Sequence, residues 1–332
     1  MKYSVLSRLS SLKKFSIPFP NNPFLKLLLI ISSFVFATAF IPVIGSICLV
    51  FLPMILFLNG TVNDRIKTAI AFFIPFSLLF FLSTLLHLNL PTIAIFTMGV
   101  TGLFIAQIAA QNGSVEKIII YPAIFIIASI CFYFIYSGFV LSVSPWQFVV
   151  KYITATIEEN IKLYSQLPLK TEDINFIKDN KKNIINGFTQ IFPSLIIITS
   201  TLIIWANFLL GKQILGKAGI TWPRLTALAR WKAPDFIIWI FIISGGLYFV
   251  PHKDINFFSL NIFLVTCFIY LLQGLAILSF FFQSKNVPLF FRYLFYFFIA
   301  VQQILMIPIA AVGLFDIWID FRKYFQKDQT TI

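Results

Sequence analysis

Charged residues are scarce in this sequence, and their scarcity excludes a soluble domain. Only 11% of the 332 residues are charged, whereas 59% are hydrophobic and 42 are phenylalanine. Soluble domains carry about 25% charged residues and about 45–50% apolar ones. We therefore expect most of the chain to lie in lipid.

Groups suited to acid–base or metal chemistry are also few. The sequence has twelve acidic residues and two histidines, and none of them lies at the middle of an apolar run. It contains no recognisable aspartate pair, Ser–His pair or zinc motif of an intramembrane protease, and no glycine-rich phosphate loop. Cys48, Cys131 and Cys267 lie inside apolar runs without CxxC spacing, which is typical of small buried residues. The sequence predicts a protein that is not an enzyme and holds no cofactor or metal.

Nine apolar runs fill the chain, and most approach the roughly 20 residues that a helix needs to cross a bilayer. Strands of a membrane barrel would alternate apolar and polar residues, which residues 191–210 do not. We predict an all-α polytopic transmembrane helix bundle of about nine spans. Eight is the alternative, because the second and seventh runs are short. The runs cover residues 24–40, 43–58, 67–86, 92–111, 117–141, 184–210, 236–250, 259–282 and 289–315.

The basic residues lie in short connectors and at the termini, so the net charge of +13 does not indicate a nucleic-acid partner. We expect a basic cytoplasmic segment (1–23), a single transmembrane domain (24–323) and a tail (324–332). Two insertions interrupt the domain: a long polar extracytoplasmic one (142–183) and a basic cytoplasmic connector (211–235).

The distribution of Lys and Arg predicts the orientation. Six runs separate the basic N-terminal segment from the basic connector, so both can face the cytoplasm. A nine-span count puts the basic tail outside, against the same rule. We expect a multi-pass protein of the bacterial cytoplasmic (inner) membrane with its N-terminus inside. Ala37-Thr38-Ala39, just before Phe40 at the end of the first run, also fits a cleaved secretory signal, but polytopic proteins normally keep their first span.

Each polar insertion contains a segment that is predicted to lie at the membrane surface. In the first, an apolar stripe at helical spacing predicts an amphipathic helix, and its members are Trp146, Val149, Val150, Ile153 and Ile157. In the second, Arg224, Arg230, Trp231 and Lys232 are candidate anchors, because basic residues beside tryptophan suit the headgroup region. A surface for docking a protein partner would have the same composition.

Uncharged polar residues follow helical faces in the last runs. Tyr270 and Gln273 lie on one stripe of the eighth run, and Gln302 shares a face of the ninth with Asp316 and Asp320. We predict that Tyr270, Gln273 and Gln302 face one another inside the bundle, as a ligand site or as a polar core. Pro308 is expected to bend the ninth run. Asp316, Asp320 and Arg322 are expected to form an ion-pair network at the membrane edge.

Small residues recur along the fourth run. Gly102, Ala106 and Ala110 are spaced by four residues, and Gly99 is adjacent. Such spacing lets another helix approach closely, so we predict a helix-packing face here.

The last third of the chain carries several short motifs. They are Trp222-Pro223-Arg224, Arg230-Trp231-Lys232-Ala233-Pro234-Asp235, Gln273-Gly274-Leu275-Ala276, Gly313-Leu314-Phe315-Asp316 and Asp320-Phe321-Arg322. In this pattern the sequence resembles the YybS-like family of uncharacterised predicted bacterial membrane proteins. The resemblance implies a distant similarity to substrate-binding (S) components of energy-coupling-factor transporters, which bind small molecules and dock on a transport partner.

Two functions therefore stay open. The first is a membrane component that binds or transports a small uncharged ligand, and it requires a cavity lined by polar and aromatic residues. The second is a structural or assembly protein without a ligand, which requires a filled interior and a membrane protein partner. The lipid bilayer is the expected surrounding in both.

Overall fold

A computed structural model describes residues 22–88, 90–111, 113–166, 171–217, 219–220 and 228–327. Over these residues the chain forms thirteen α-helices and two short 3-10 turns, Leu228–Arg230 and Gln303–Leu305, and no strand. The predicted helical bundle is thus confirmed. In chain order the helices are α1 (Pro23–Phe40), α2 (Pro42–Val62), α3 (Arg65–Leu85), α4 (Thr92–Ala110), α5 (Val115–Val140), α6 (Pro145–Tyr164), α7 (Thr171–Asp179), α8 (Lys181–Lys217), α9 (Ile237–Leu247), α10 (Lys253–Ser284), α11 (Leu289–Val301), α12 (Met306–Ile319) and α13 (Phe321–Lys327).

Seven helices of the described part are long and apolar enough to cross a membrane: α1 to α5, α8 and α10. The bent pair α11 and α12 counts as an eighth span at most. Helix α9 has 11 residues, about 16 Å at 1.5 Å per residue, roughly half the hydrocarbon thickness. By length and composition the described helices thus give seven or eight spans rather than nine, because the seventh apolar run forms only this short helix.

The last apolar run breaks earlier than its proline predicts. The chain bends by 104° between α11 and the segment from Gln303, and Gln302 is non-helical with φ −97° and ψ 84°. Pro308 is instead the third residue of α12. A first-turn residue has no intrahelical acceptor for its N–H, so a proline there disturbs nothing.

Local signals explain where several helices begin. Asn22 and Asp64 cap α1 and α3 by accepting a backbone N–H two residues ahead. Ser144 and Gln147 form a reciprocal capping box at the start of α6. These side chains satisfy amide groups that a helix N-terminus leaves without partners.

The described residues form two compact units, whereas one domain was expected from the apolar region. The first contains α1 to α4 and the part of α8 from Trp205. Its core consists of fully or nearly fully buried apolar residues, namely Leu27, Ile31, Val35, Leu52, Leu56, Ala71, Phe72, Leu79 and Ile95.

In the first unit α4 packs closely on α2 through the small-residue face. A Cβ atom built on Gly102 would lie 2.5 Å from the carbonyl oxygen of Pro53, and Ala106 lies against Gly60. Gly99 faces the buried ring of Phe72. Ala110 does not join this face: it is exposed, because it is the last residue of α4 and lies beyond the packed turns.

The second unit contains α5 to α7, α8 up to Ile204, and α9 to α13. Helix α10 is its central element and packs on α9, α12, α13 and the 3-10 turn Leu228–Arg230. The apolar stripe of α6 packs on protein: Val149 and Ile153 are buried with Phe134 of α5, and Phe192 of α8 packs against them. Val149 and Ile153, which were expected to lie at the membrane surface, are thus covered by neighbouring helices.

An exposed ion pair also joins α6 to α8. The ammonium of Lys181 donates to Glu158, and this hydrogen bond together with the attraction of the cation lowers the pKa of the Glu158 carboxyl. A lowered folded-state pKa gives a contribution to stability that is present above the ordinary carboxyl pKa. That contribution is lost as the pH falls through the lowered value.

The contact at Gly102 gives the first prediction. Gly102→Leu should lower the melting temperature in detergent, because the new side chain has to push the backbones of α2 and α4 apart at a cost of about 1–3 kcal/mol. Ile93→Leu, at an exposed position of the same helix, is the matched control and should melt like the wild type. Equal melting of all three proteins would show that α2 and α4 do not pack through Gly102.

Candidate functional site

A buried polar network lies where α10 meets α12 in the second unit. Gln273 is fully buried; its Oε1 accepts the N–H of Ala233 at 3.2 Å, and its Nε2 donates to Oδ2 of Asp316 at 3.0 Å. The other oxygen of Asp316 accepts the N–H of Phe321 at 3.0 Å. The amide of Gln273 thus meets protein on both of its ends.

Arg322 completes this network and supplies its positive charge. Its Nη1 lies 2.9 Å from Oδ2 of Asp316, a carboxylate that is 1% exposed. Its other donors reach the backbone carbonyls of Ala229 at 3.3 Å and Trp231 at 2.7 Å. A buried ion pair is stable only when its remaining donors and acceptors are satisfied, and these contacts meet that condition. The network therefore joins helices α10, α12 and α13 through hydrogen bonds and a buried ion pair.

Two glycines allow the helices to approach closely enough for this network. A Cβ atom on Gly274 would overlap the carbonyl oxygen of Ile309, and one on Gly313 would overlap that of Tyr270. Neither position tolerates a side chain without separating the helices. The short motifs noted in the last third of the sequence supply both glycines, as well as Gln273, Asp316 and Arg322.

The structure brings together two of the three residues predicted to share a site. Tyr270 is 1% exposed and lies one turn from Gln273; its ring packs edge-on against Phe241 at 5.7 Å. The hydroxyl of Tyr270 has no hydrogen-bond partner among the described residues. Gln302 is exposed at the bend between α11 and α12, so the prediction that it faces the other two is corrected.

The expected network of Asp316, Asp320 and Arg322 divides into two pairs. Asp320 adopts a left-handed conformation, with φ 50°, where the chain reverses between α12 and α13. This reversal carries Arg322 back to Asp316, while Asp320 pairs with the exposed Lys323 at 3.1 Å. Sequence reasoning missed the carbonyls of Ala229 and Trp231, because backbone acceptors leave no trace in the residue types.

The candidate membrane anchors of the connector have separate surroundings. Arg224 lies outside the described residues. Arg230 and Lys232 are exposed, and Lys232 forms an ion pair with Asp235 at 3.2 Å. Trp231 is half-buried against a core cluster, and its carbonyl is held by Arg322. Trp231 is therefore fastened to the helix bundle.

A cleft with a cavity volume of about 710 Å³ opens in the second unit, where the first turns of α8 and α10 meet the start of α6. Aromatic side chains form one part of its wall, and Trp146 packs edge-on against Phe257 at 5.5 Å. Amide and hydroxyl side chains form another part. The lining residues are Trp146, Asn186, Thr189, Gln190, Val250, Pro251, His252, Lys253, Asp254, Asn256, Phe257 and Phe258.

The polar wall of the cleft is held by its own hydrogen bonds. Gln190 donates through Nε2 to Oδ1 of Asn256 at 3.3 Å, and Asn256 donates to the carbonyl of Tyr248 at 2.8 Å. Lys253 and Asp254 place opposite charges side by side on the same wall. This arrangement can offer hydrogen bonds and an aromatic face to a molecule without net charge. No sequence pattern indicated that the starts of α8 and α10 lie side by side.

The described residues contain no group of three His, Cys, Asp or Glu side chains that could hold a metal ion. The two polar regions are thus a closed network and an open cleft, on a framework of long apolar helices. These features define a polytopic helical membrane protein.

The chain matches a family model described as "Predicted membrane protein (DUF2232)" over residues 29–317. Since this match covers most of the sequence, the protein belongs to that family of membrane proteins. No curated protein and no solved structure matches the chain.

The network gives the second prediction. Arg322→Leu should lower the free energy of unfolding by about 3–5 kcal/mol, because it leaves the carboxylate of Asp316 buried without a counter-charge. Adding Asp316→Asn removes that charge and should restore part of the loss, as measured by thermal unfolding in detergent. Lys323→Leu is the matched control, since its pair is exposed, and should change stability little. A double variant no more stable than Arg322→Leu would refute the pairing.

Proposed function

We propose that the protein is a membrane component that binds a small, polar, uncharged molecule in the cleft between α6, α8 and α10. The cleft itself carries the proposal. Its volume of about 710 Å³ is within the roughly 300–1,000 Å³ typical of small-molecule sites, and its wall combines aromatic rings with amide and hydroxyl groups. The neighbouring charges of Lys253 and Asp254 balance each other, which favours a ligand that is neutral overall.

We extend this proposal to transport. The resemblance to the YybS-like family supports it, because that resemblance implies similarity to transporter S components that pass a small molecule to a membrane partner. The bent pair α11 and α12 also supports it, since discontinuous helices are common at the working parts of transporters. The partner would be a second membrane protein.

A structural role without a ligand is the second candidate. The filled region around Gln273 favours it, because amide, carboxylate and guanidinium groups there are satisfied by protein. The structural candidate needs no open cleft, whereas the binding candidate does. An experiment directed at the cleft therefore separates the two.

The third prediction tests the ligand. Native mass spectrometry after mild detergent extraction should show the wild-type chain with a bound small molecule. Gln190→Leu should lose this adduct, because it removes an amide from the cleft wall. Asn59→Ala removes an amide that bonds to Ile55 and to Asn63 at the end of α2, away from the cleft; it is the control and should keep the adduct. A wild-type chain without any adduct, but with a co-purifying protein, would favour the structural role.

The proposed orientation has the N-terminus in the cytoplasm of a bacterial cell. Six spanning helices precede the connector, so the N-terminal segment and the connector lie on one side and α6 with the cleft on the other. Because the cleft also contains the start of α10, the segment through α9 crosses from the connector to the cleft's side, and α10 crosses back. The bent pair α11 and α12 then enters and leaves the membrane on the connector's side. The C-terminal segment joins the connector's side, because Arg322 bonds to the carbonyls of Ala229 and Trp231. The basic tail then obeys the positive-inside rule, which a nine-span count violates.

The fourth prediction tests this orientation. Single cysteines at Glu159, Arg230 and Lys323 would be labelled in intact cells with a membrane-impermeant maleimide, in a chain without its three native cysteines. We expect labelling at position 159 only, with positions 230 and 323 reacting after permeabilisation. Labelling of 323 but not 230 in intact cells would contradict the shared side of the connector and the C-terminal segment.

A further inference from the structure

Pro193 lies inside α8, three residues after the cleft residue Gln190. A proline has no N–H, so the carbonyl of Thr189, four residues earlier, loses its helical donor, and the proline ring pushes that carbonyl away. The turn that Pro193 disturbs contains Thr189 and Gln190, which line the cleft, and Asn186 lies one turn earlier. The shape of the cleft wall therefore depends on how this turn is held.

Asn261 of α10 holds this turn through its side-chain amide. Its Oδ1 accepts the N–H of Ser194 at 2.8 Å, and its Nδ2 donates to the carbonyl of Gln190 at 2.9 Å. These two backbone groups would be each other's partners in an unbroken helix. The second proton of Nδ2 goes to the carbonyl of Phe257 at 2.8 Å. Asn261 is buried, and both donor protons have acceptors.

The same pairing of a helix-internal proline with an asparagine occurs in the first unit, away from the residues that line the cleft. Pro53 interrupts α2, and Asn207 accepts the N–H of Met54 at 2.9 Å and donates to the carbonyl of Val50 at 2.9 Å. In both cases the asparagine bridges the residue after the proline and the carbonyl four positions before that residue. The second example provides an internal control.

We infer that Asn261 is a positioning residue of the cleft, which keeps the turn at Pro193 open so that Gln190 meets Asn256 across the cleft wall. This inference deepens the proposed function and rests on it for the ligand, but its geometric part stands independently. Asn261 is on α10, and α10 also supplies Asn256 and Phe257 to the cleft. One side chain thus sets the distance and angle between the two helices that form the binding wall.

The chemistry excludes simple substitutes for this asparagine. Leucine fills a similar volume but leaves the Ser194 N–H and the Gln190 carbonyl without partners. Aspartate keeps an acceptor for Ser194 but places a carboxylate against the Gln190 carbonyl. Pro193→Ala supplies the missing N–H, so that the helix can close on itself and no longer requires Asn261.

The fifth prediction is a double-mutant cycle with two readouts. Asn261→Leu should lower the melting temperature in detergent by about 3–6 °C, and adding Pro193→Ala should recover most of that loss. Asn207→Leu with Pro53→Ala should behave in the same way. Stability alone therefore does not distinguish the two asparagines.

The second readout is the distance between spin labels at positions 182 and 255, measured by pulsed electron resonance in the chain without native cysteines. Ile255 is an exposed residue of α10 outside the lining of the cleft. Pro193 lies eleven positions after Lys182, a lever of about 16 Å, and closing a bend of about 20° moves its end by about 6 Å. The Pro193→Ala, Asn261→Leu chain should show this shift and lose the small-molecule adduct. The Pro53→Ala, Asn207→Leu chain should show neither change.

Three outcomes overturn the inference: an unchanged label distance in the Pro193→Ala, Asn261→Leu chain, no recovery of stability by Pro193→Ala, or an adduct retained despite the shifted distance. Absence of an adduct from the wild type is a different failure. It would refute the proposed function while the distance shift would still establish that Asn261 sets the geometry of the cleft.

Discussion

A backbone amide in hydrocarbon has no water with which to pair, and the described structure depends on meeting that demand. Continuous helices meet it for most residues, but prolines inside α2 and α8 each remove a donor. Asn207 and Asn261 bond to the backbone groups that flank these interruptions. Asn207 and Asn261 thus complete the hydrogen bonding of the backbone. A ligand site is expected instead among polar side chains that still have free hydrogen-bonding capacity.

That criterion separates the two polar regions of the second unit. The amide of Gln273 is hydrogen-bonded at both ends, to Ala233 and to Asp316, and these bonds join helices. The cleft beside Gln190 and Asn256 is open, and its polar groups have capacity for further hydrogen bonds. The proposed binding site is therefore the region that sequence patterns had not distinguished, whereas the region they had distinguished joins helices.

The sequence was sufficient for the helical bundle and for one of its close packing faces, because both depend on local patterns. Apolar runs of helical length mark the spans, and the spacing of Gly102 and Ala106 marks the contact of α4 with α2. The position of Gln302 could not be read in this way, since a bend at a residue that forms helices readily depends on tertiary contacts. The cleft escaped prediction because it joins the starts of α8 and α10, about 70 residues apart in the chain.

The left-handed turn at Asp320 has a consequence for the order in which the protein matures. Synthesis proceeds from the N-terminus, so the connector carbonyls, Gln273 and Asp316 all leave the ribosome before Arg322 does. Until that residue arrives, the carboxylate of Asp316 has no counter-charge and can remain hydrated. Closure of the network thus waits for the synthesis of Arg322, and the second unit acquires its final packing only after α12 and the turn at Asp320 have been made.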